Sequence, residues 1–304
     1  MEQLMIGEII RETRIRLGYV QEDLCIGDLD VKTVSRIENG EHIPQNSVIK
    51  KIFAQMNMRI PINLVSVTDE EFNKYQLQTI IENKLEAECT DFGNLAEEFK
   101  NCMMEMDEFD WQIYYLINGI CKKKDKDYQV AKEFFCKAIK ETMQSFSESY
   151  DLDKRRRVTE KELRCLFELT DTEYEIENYK LVGSYLKFMD FYTKCGIMNE
   201  HFRIKMRIQV LLFLCRFEEK RKKINRVLEY SDEGIKFCID KDSLFHLSDF
   251  FYFNSRAFAY NGNYQEAKKS LSICFILLEG MNMNEELSCL KNKMKQDFDI
   301  EIDW

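Results

Sequence analysis

The sequence predicts an all-α chain, with five short helices in a module spanning residues 1–64 and a long array of paired amphipathic helices over residues 65–304. Three observations predict it. Only 2 prolines and 11 glycines interrupt 304 residues, too few turn formers for a sheet-rich protein. Apolar residues recur three and four positions apart, the spacing of one helix face. Both prolines, Pro44 and Pro61, fall near the amino end, so chain character shifts near residue 64, and the length suits two domains.

In chain order, Ile6, Ile9, Ile10, Thr13 and Leu17 form the buried face of a first helix, with Gly18 as its stop. Residues 21–25 form a brief helical turn. Gly27 allows a backbone angle other residues resist, and Asp30 can accept from the free amides that open a helix over 31–39. Gly40 closes that helix. Beyond Pro44, Asn46 or Ser47 can cap another helix, whose Val48, Ile49, Ile52, Phe53 and Met56 share one side.

The second region opens at Thr68, which with Glu71 forms a capping-box pattern leading into a helix that runs to about Glu88. Asp91 starts the next helix. Polar breaks near residues 124–127, 170–173, 195–199, 239–243, 261–263 and 281–284 divide the remainder into antiparallel helices. One stretch carries Ser255, Phe258, Gly262, Tyr264 and Ala267, continuing through Leu271, Cys274 and Leu277; it resembles a tetratricopeptide repeat. Gly119, Tyr128, Ala131, Phe135 and Ala138 repeat those intervals earlier. Two copies imply an α-solenoid, and for residues 150–245 helix pairs are inferred from context.

Composition excludes several functions. The longest apolar run, residues 210–215, is far short of the ~20 residues of a membrane span, and the Met1, Glu2, Gln3 opening lacks a signal pattern. Eleven scattered cysteines, with no pair spaced C-x-x-C and most at helical spacing among apolar residues, read as small core hydrophobes in a reducing, cytoplasmic setting. His42, His201 and His246 are far apart in sequence, leaving little material for a metal site or a nucleophile–histidine–carboxylate triad. No catalytic residues, cofactor or metal are expected. The basic runs at 154–157 and 220–223 lie among acids and read as solvated helix faces. Phe250, Phe251, Tyr252, Phe253 and Phe258 read mainly as core, with groove lining as the alternative.

Val20-Gln-Glu-Asp-Leu24, followed by Val31-Lys-Thr-Val-Ser-Arg-Ile-Glu-Asn-Gly40, resembles the phage-repressor (XRE or Cro-type) helix-turn-helix family over residues 6–64. The resemblance implies double-stranded operator DNA as a partner, with the second motif helix in the major groove. Arg36 can fork two hydrogen bonds onto guanine, Lys32 can reach guanine or a phosphate, and Thr33 can meet a base, a phosphate or a thymine methyl. Gln21 and Asn39 would grip phosphates. By resemblance, Glu38 pairs with Arg14 of the first helix as a structural ion pair. Charge opposes tight binding by one copy: Arg11, Arg14, Arg16, Lys32, Arg36, Lys50, Lys51 and Arg59 face nine acids in this module, and the chain carries net charge -10. A homodimer presenting two reading helices answers this.

Along its whole length the chain resembles peptide-sensing transcriptional regulators of the Rgg and PlcR type. The compact turn holding Gly27 matches that family's short turn, although its customary cysteine and serine are here Leu29 and Asp30, which leaves the subfamily open. The resemblance implies quorum sensing, with a short oligopeptide lying along the concave repeat face, often clamped by asparagines. The repeat pattern puts Tyr252, Arg256 and Tyr260 on the groove side. Asn254 and Asn118 lie one position from the usual clamp, so each is either a ligand-binding amide or a capped or core-edge one. The rival reading keeps the DNA reader and makes the repeats a docking platform for a protein, binding no peptide.

Overall fold

Helix α1 (Glu2–Arg16) runs so close to α2 (Val31–Glu38) that a Cβ on Gly7 would lie 2.1 Å from the Ile37 carbonyl oxygen. Only glycine permits that approach. This computed structural model describes residues 2–27, 29–58, 69–102, 106–144, 146–147, 157–195 and 198–298. Among them stand fourteen α-helices and one 3-10 turn. The chain divides into two units: residues 1–191 with 195–199, and residues 192–194 with 200–304.

In the first unit, the 3-10 turn Gln21–Leu24 joins α1 to α2, and α3 (Asn46–Gln55) closes the small core. Ile10, Leu24, Leu29, Val34, Ile37, Ile49, Ile52, Phe53 and Met56 fill it, with Ile6, Ile9, Leu17 and Val48 partly buried against it. The apolar spacing therefore marked the correct faces. Asp30 caps α2, its carboxylate accepting from the Thr33 amide at 2.7 Å, and Gly40 turns the chain at φ +73°. The cap of α3 differs from expectation: Gln45 holds that place, without a side-chain bond, and Asn46 is already helical. Four of the five short elements expected stand within residues 2–58; the boundary near residue 64 and Thr68 of the expected capping box lie outside the described residues.

Next come α4 (Asp69–Glu86), α5 (Leu95–Asn101), α6 (Glu108–Lys124), α7 (Tyr128–Thr142), α8 (Glu160–Glu175) and α9 (Tyr179–Cys195). Asp91 does not open α5; its carboxylate accepts from Gly93, and the helix begins four residues later. Helix α6 packs on α7, and α7 on α8. Capping boxes start α6 at Asp107 with Asp110 and α8 at Thr159 with Glu162. Burial, helped by neighbouring Asp107, pushes the Asp110 carboxyl up to about 6. The break expected at residues 170–173 is absent: the Thr170 and Thr172 hydroxyls donate to the carbonyls of Leu166 and Glu168 one turn back, and the helix runs on to Glu175.

The second unit contains α10 (Glu200–Lys220), α11 (Ile224–Asp240), α12 (Leu247–Tyr260), α13 (Tyr264–Gly280) and α14 (Asn284–Phe298), each packed on the next. Gly262, at φ +74°, makes the turn between α12 and α13 where the repeat pattern put it. The two units share one packing device. A Cβ on Gly119 would meet the Phe135 ring at 2.5 Å, and one on Gly234 would meet the Phe250 ring at 2.3 Å. Among the five aromatics expected as core, only Phe250 is fully buried; Phe251, Tyr252, Phe253 and Phe258 are partly so. Of the eleven cysteines, four are buried, five half-buried and two exposed, so the core reading holds for a minority. No helix among the described residues is long and apolar enough to cross a membrane.

Candidate nucleic-acid interface and ligand site

Helix α2 buries Val34, Ile37 and Glu38 and presents Lys32 and Arg36, both exposed, with Thr33 partly exposed between them. Neither cation is ion-paired among the described residues. The opposite side of the helix is pinned. Arg14 of α1 grips Glu38 in a fork, Nε to Oε1 at 2.6 Å and Nη2 to Oε2 at 2.8 Å, while Nη1 donates to the Tyr19 carbonyl at 3.0 Å. The Glu38 hydrogen bond raises the Arg14 pKa further above its ordinary value, so this guanidinium stays charged. Gln21 also donates its amide to Glu38, at 2.8 Å. That commits the Gln21 side-chain nitrogen to the scaffold. Asn39 ends α2 and is exposed.

The back of this module meets the helices that follow. Arg157 donates to the Gly18 carbonyl at 2.7 Å, lies 3.3 Å from Asp23 and covers the Tyr19 ring at 4.4 Å. Its run was expected on a solvated helix face; Arg157 is instead engaged, and residues 154–156 lie outside the described ones. Asn57 bridges Tyr19 and the Glu160 amide, and Lys51 meets Glu108 at 3.0 Å. Burial pushes the Glu160 carboxyl up to about 7. The second basic run, 220–223, is exposed as expected but lies at the turn after α10, where Arg221 and Lys223 approach Glu218.

Tyr252, Arg256 and Tyr260 share one face of α12 and converge. Arg256 donates from Nη1 to the Tyr252 hydroxyl at 3.2 Å and from Nη2 to that of Tyr260 at 3.4 Å. Its Nε meets Glu219 of α10 at 2.7 Å, and Nη1 also meets Asp297 of α14 at 2.7 Å. These carboxylates and Tyr252 outweigh the effect of burial and raise its pKa. Asn254 takes the other option left open by its position. It is buried, donates to Ser231 and Asp232 of α11, and accepts from Ser270 of α13 at 2.7 Å. All of its amide is used inside the helix stack, so it is a core amide and not an open clamp.

Asn118 sits in the first unit, partly exposed, its amide donating to the Tyr114 carbonyl one turn back. It shares a stripe of α6 with Trp111, Tyr114 and Tyr115, whose ring centroids lie 5.5 Å apart in each pairing. Lys100 lies 5.4 Å from the Tyr114 ring centroid. The spacing 111, 114, 115, 118 was visible as a helix face, but its polar-aromatic character resembles both a core edge and a binding surface.

No family model and no curated protein matches the chain. Among solved structures it is similar to Bacillus thuringiensis PlcR in complex with the peptide PapR7 and DNA, at 17% identity over 94% of this chain and 99% of that one, with TM-score 0.52. A Streptococcus dysgalactiae SHP pheromone receptor, Rgg2, shares 11% identity over 96% and 99% of the two chains, TM-score 0.48. ComR from Streptococcus suis shares 16% over 98% and 95%, TM-score 0.42. The likeness to PlcR establishes a shared all-helical fold.

Proposed function

We propose that this chain is a sequence-specific, DNA-binding transcriptional regulator controlled by a short signalling peptide held by its helical repeats. The observation that carries the reading is the α2 face: a helix fixed from behind by the Arg14–Glu38 fork, with Lys32, Thr33 and Arg36 turned outward. Rigid backing with exposed donors is what base reading in a major groove requires. Arg36 would read guanine, Lys32 guanine or a phosphate, and Thr33 a thymine methyl or a phosphate. Asn39, at the C-terminal end of α2, and Gln21, which opens the 3-10 turn and braces Glu38 with its amide, would contact the DNA backbone.

Residues 1–64 are then the reading head and residues 65–304 the sensing and dimerising part. A homodimer supplies the second reading helix that a chain of net charge -10 needs, because phosphate neutralisation by one head is weak. The protein would work in the cytoplasm, where its operator lies, and the reading needs neither cofactor nor catalytic residue. PlcR, whose structure holds a peptide and DNA, lends the peptide half of the reading by analogy of fold. Within the second unit, Tyr252, Arg256 and Tyr260 are the side chains offered to the peptide; within the first, Asn118 is a separate candidate.

The test starts by selecting duplexes from a random pool with the full-length protein, then titrating the winner with synthetic peptides. A single enriched motif with two half-sites, and an affinity that a peptide shifts, is the expected result. No enrichment over random duplex removes the DNA reader. Enrichment that no peptide alters, together with co-purification of a protein on the repeats, favours a docking platform instead.

A further inference from the structure

Helix α14 is lightly held: of its fifteen residues only Met294 is fully buried. Its last turn nevertheless delivers two side chains onto Arg256. The Asp297 carboxylate meets Nη1 at 2.7 Å, and the Phe298 ring lies 5.5 Å from the guanidinium carbon and edge-on to Tyr260, at 4.7 Å between centroids. Glu219 already balances the guanidinium charge at Nε. Its side chain is 21% exposed against 46% for Asp297, so Glu219 belongs to the scaffold and Asp297 is the partner that can leave. What remains on removing the last turn is a cation with an open Nη edge, flanked by two tyrosines: a seat for one carboxylate and one aromatic ring.

We propose that Tyr252, Arg256 and Tyr260 form a receptor for an acidic peptide bearing an aromatic residue, and that Asp297 and Phe298 of the chain's own last helix are its resident occupant. The sequence supports the ligand class. Residues 295–304 read Lys-Gln-Asp-Phe-Asp-Ile-Glu-Ile-Asp-Trp, acids alternating with apolar and aromatic residues. An incoming peptide of like chemistry competes for the seat and frees α14, which links occupancy to the state of the helix array. This deepens the peptide-regulated reading above and rests on it for its biological meaning.

The probe is a fluorescein-labelled peptide copying residues 295–304, followed by anisotropy against the full-length protein without DNA. A resident occupant lowers apparent affinity by the fraction of time it fills the seat, so D297N/F298A should bind the probe about tenfold more tightly than the parent chain. Adding R256Q should remove that gain. R256K, which keeps the charge and loses the fork, should weaken the probe by about fivefold and serves if the glutamine variant fails to fold. Equal affinity of the parent and D297N/F298A, or a gain indifferent to Arg256, overturns the proposal. If the probe behaves as expected while no peptide alters operator binding, the regulator reading falls and the receptor stands. If a peptide controls operator binding without any dependence on Arg256, the receptor falls and the regulator reading stands.

Discussion

On α2, Arg36 stands exposed beside Lys32, without an ion pair among the described residues, whereas on α12 Arg256 is clasped by two carboxylates, two phenols and a phenyl ring. The first is ready for an anion as it stands. The second must lose a partner before it can take another. The difference lies in what fixes each helix: α2 is anchored from behind by the Arg14–Glu38 fork and leaves its outer face unspent, while the outer face of α12 is where α14 is tied down. A reading surface thus needs its electrostatics satisfied on the hidden side, and an exchangeable site has them satisfied on the visible one.

The contrast can be broken from either end. The largest effect is expected from Glu38→Ala, which strands the Arg14 guanidinium in a partly buried place and should cost about 3–5 kcal/mol in denaturant unfolding. A loss below about 1 kcal/mol, the size of an exposed pair, would show that α2 is held by its apolar residues alone. Arg256→Ala leaves Glu219 and Asp297 facing each other and should cost about 1.5–3 kcal/mol by the same measurement, the value of hydrogen bonds to a charged group. Arg36→Ala sharpens the other side: unfolding should be unchanged, while operator affinity in a gel shift falls by about 1–3 kcal/mol and base preference relaxes at one position. The smallest change belongs to Asp297→Asn, whose half-exposed pair should be worth about 0.2–1 kcal/mol of stability. Hydrogen exchange in α14 is the sensitive readout there, and protection equal to that of the parent chain would mean that Asp297 does not tether the helix.

Much of the fold was legible because its causes are local. The faces of α1 and α3, the Asp30 cap and the turns at Gly40 and Gly262 follow from residue spacing and from what glycine and aspartate can do within four positions. Local rules also misled. Threonines at 170 and 172 looked like a break, yet their hydroxyls found carbonyls within the helix. Gly119 under Phe135 and Gly234 under Phe250 make the same close approach sixteen residues apart, but the second pair lies out of register with the repeat that aligns Gly119 with Ser255, so the repeat pattern did not announce it. The candidate sites divide the same way. The outward set Lys32, Thr33, Arg36 could be read from one helix turn, but the partners of Arg256 come from residues 219 and 297, and those of Asn254 from 231, 232 and 270. Contacts made across such separations are set by packing, which no short window of sequence contains.

Arg157 constrains any transplant of the proposed reading head. Its guanidinium roofs Tyr19 and holds Gly18 and Asp23 from a point 139 residues downstream of Gly18. A fragment severed at residue 64 would keep the Val20 amide on Asp23 and Asn57 on the Tyr19 hydroxyl but lose the guanidinium that covers the Tyr19 ring and pairs with Asp23. Swapping it onto a foreign sensor calls for grafting residue 157 and its setting along with it.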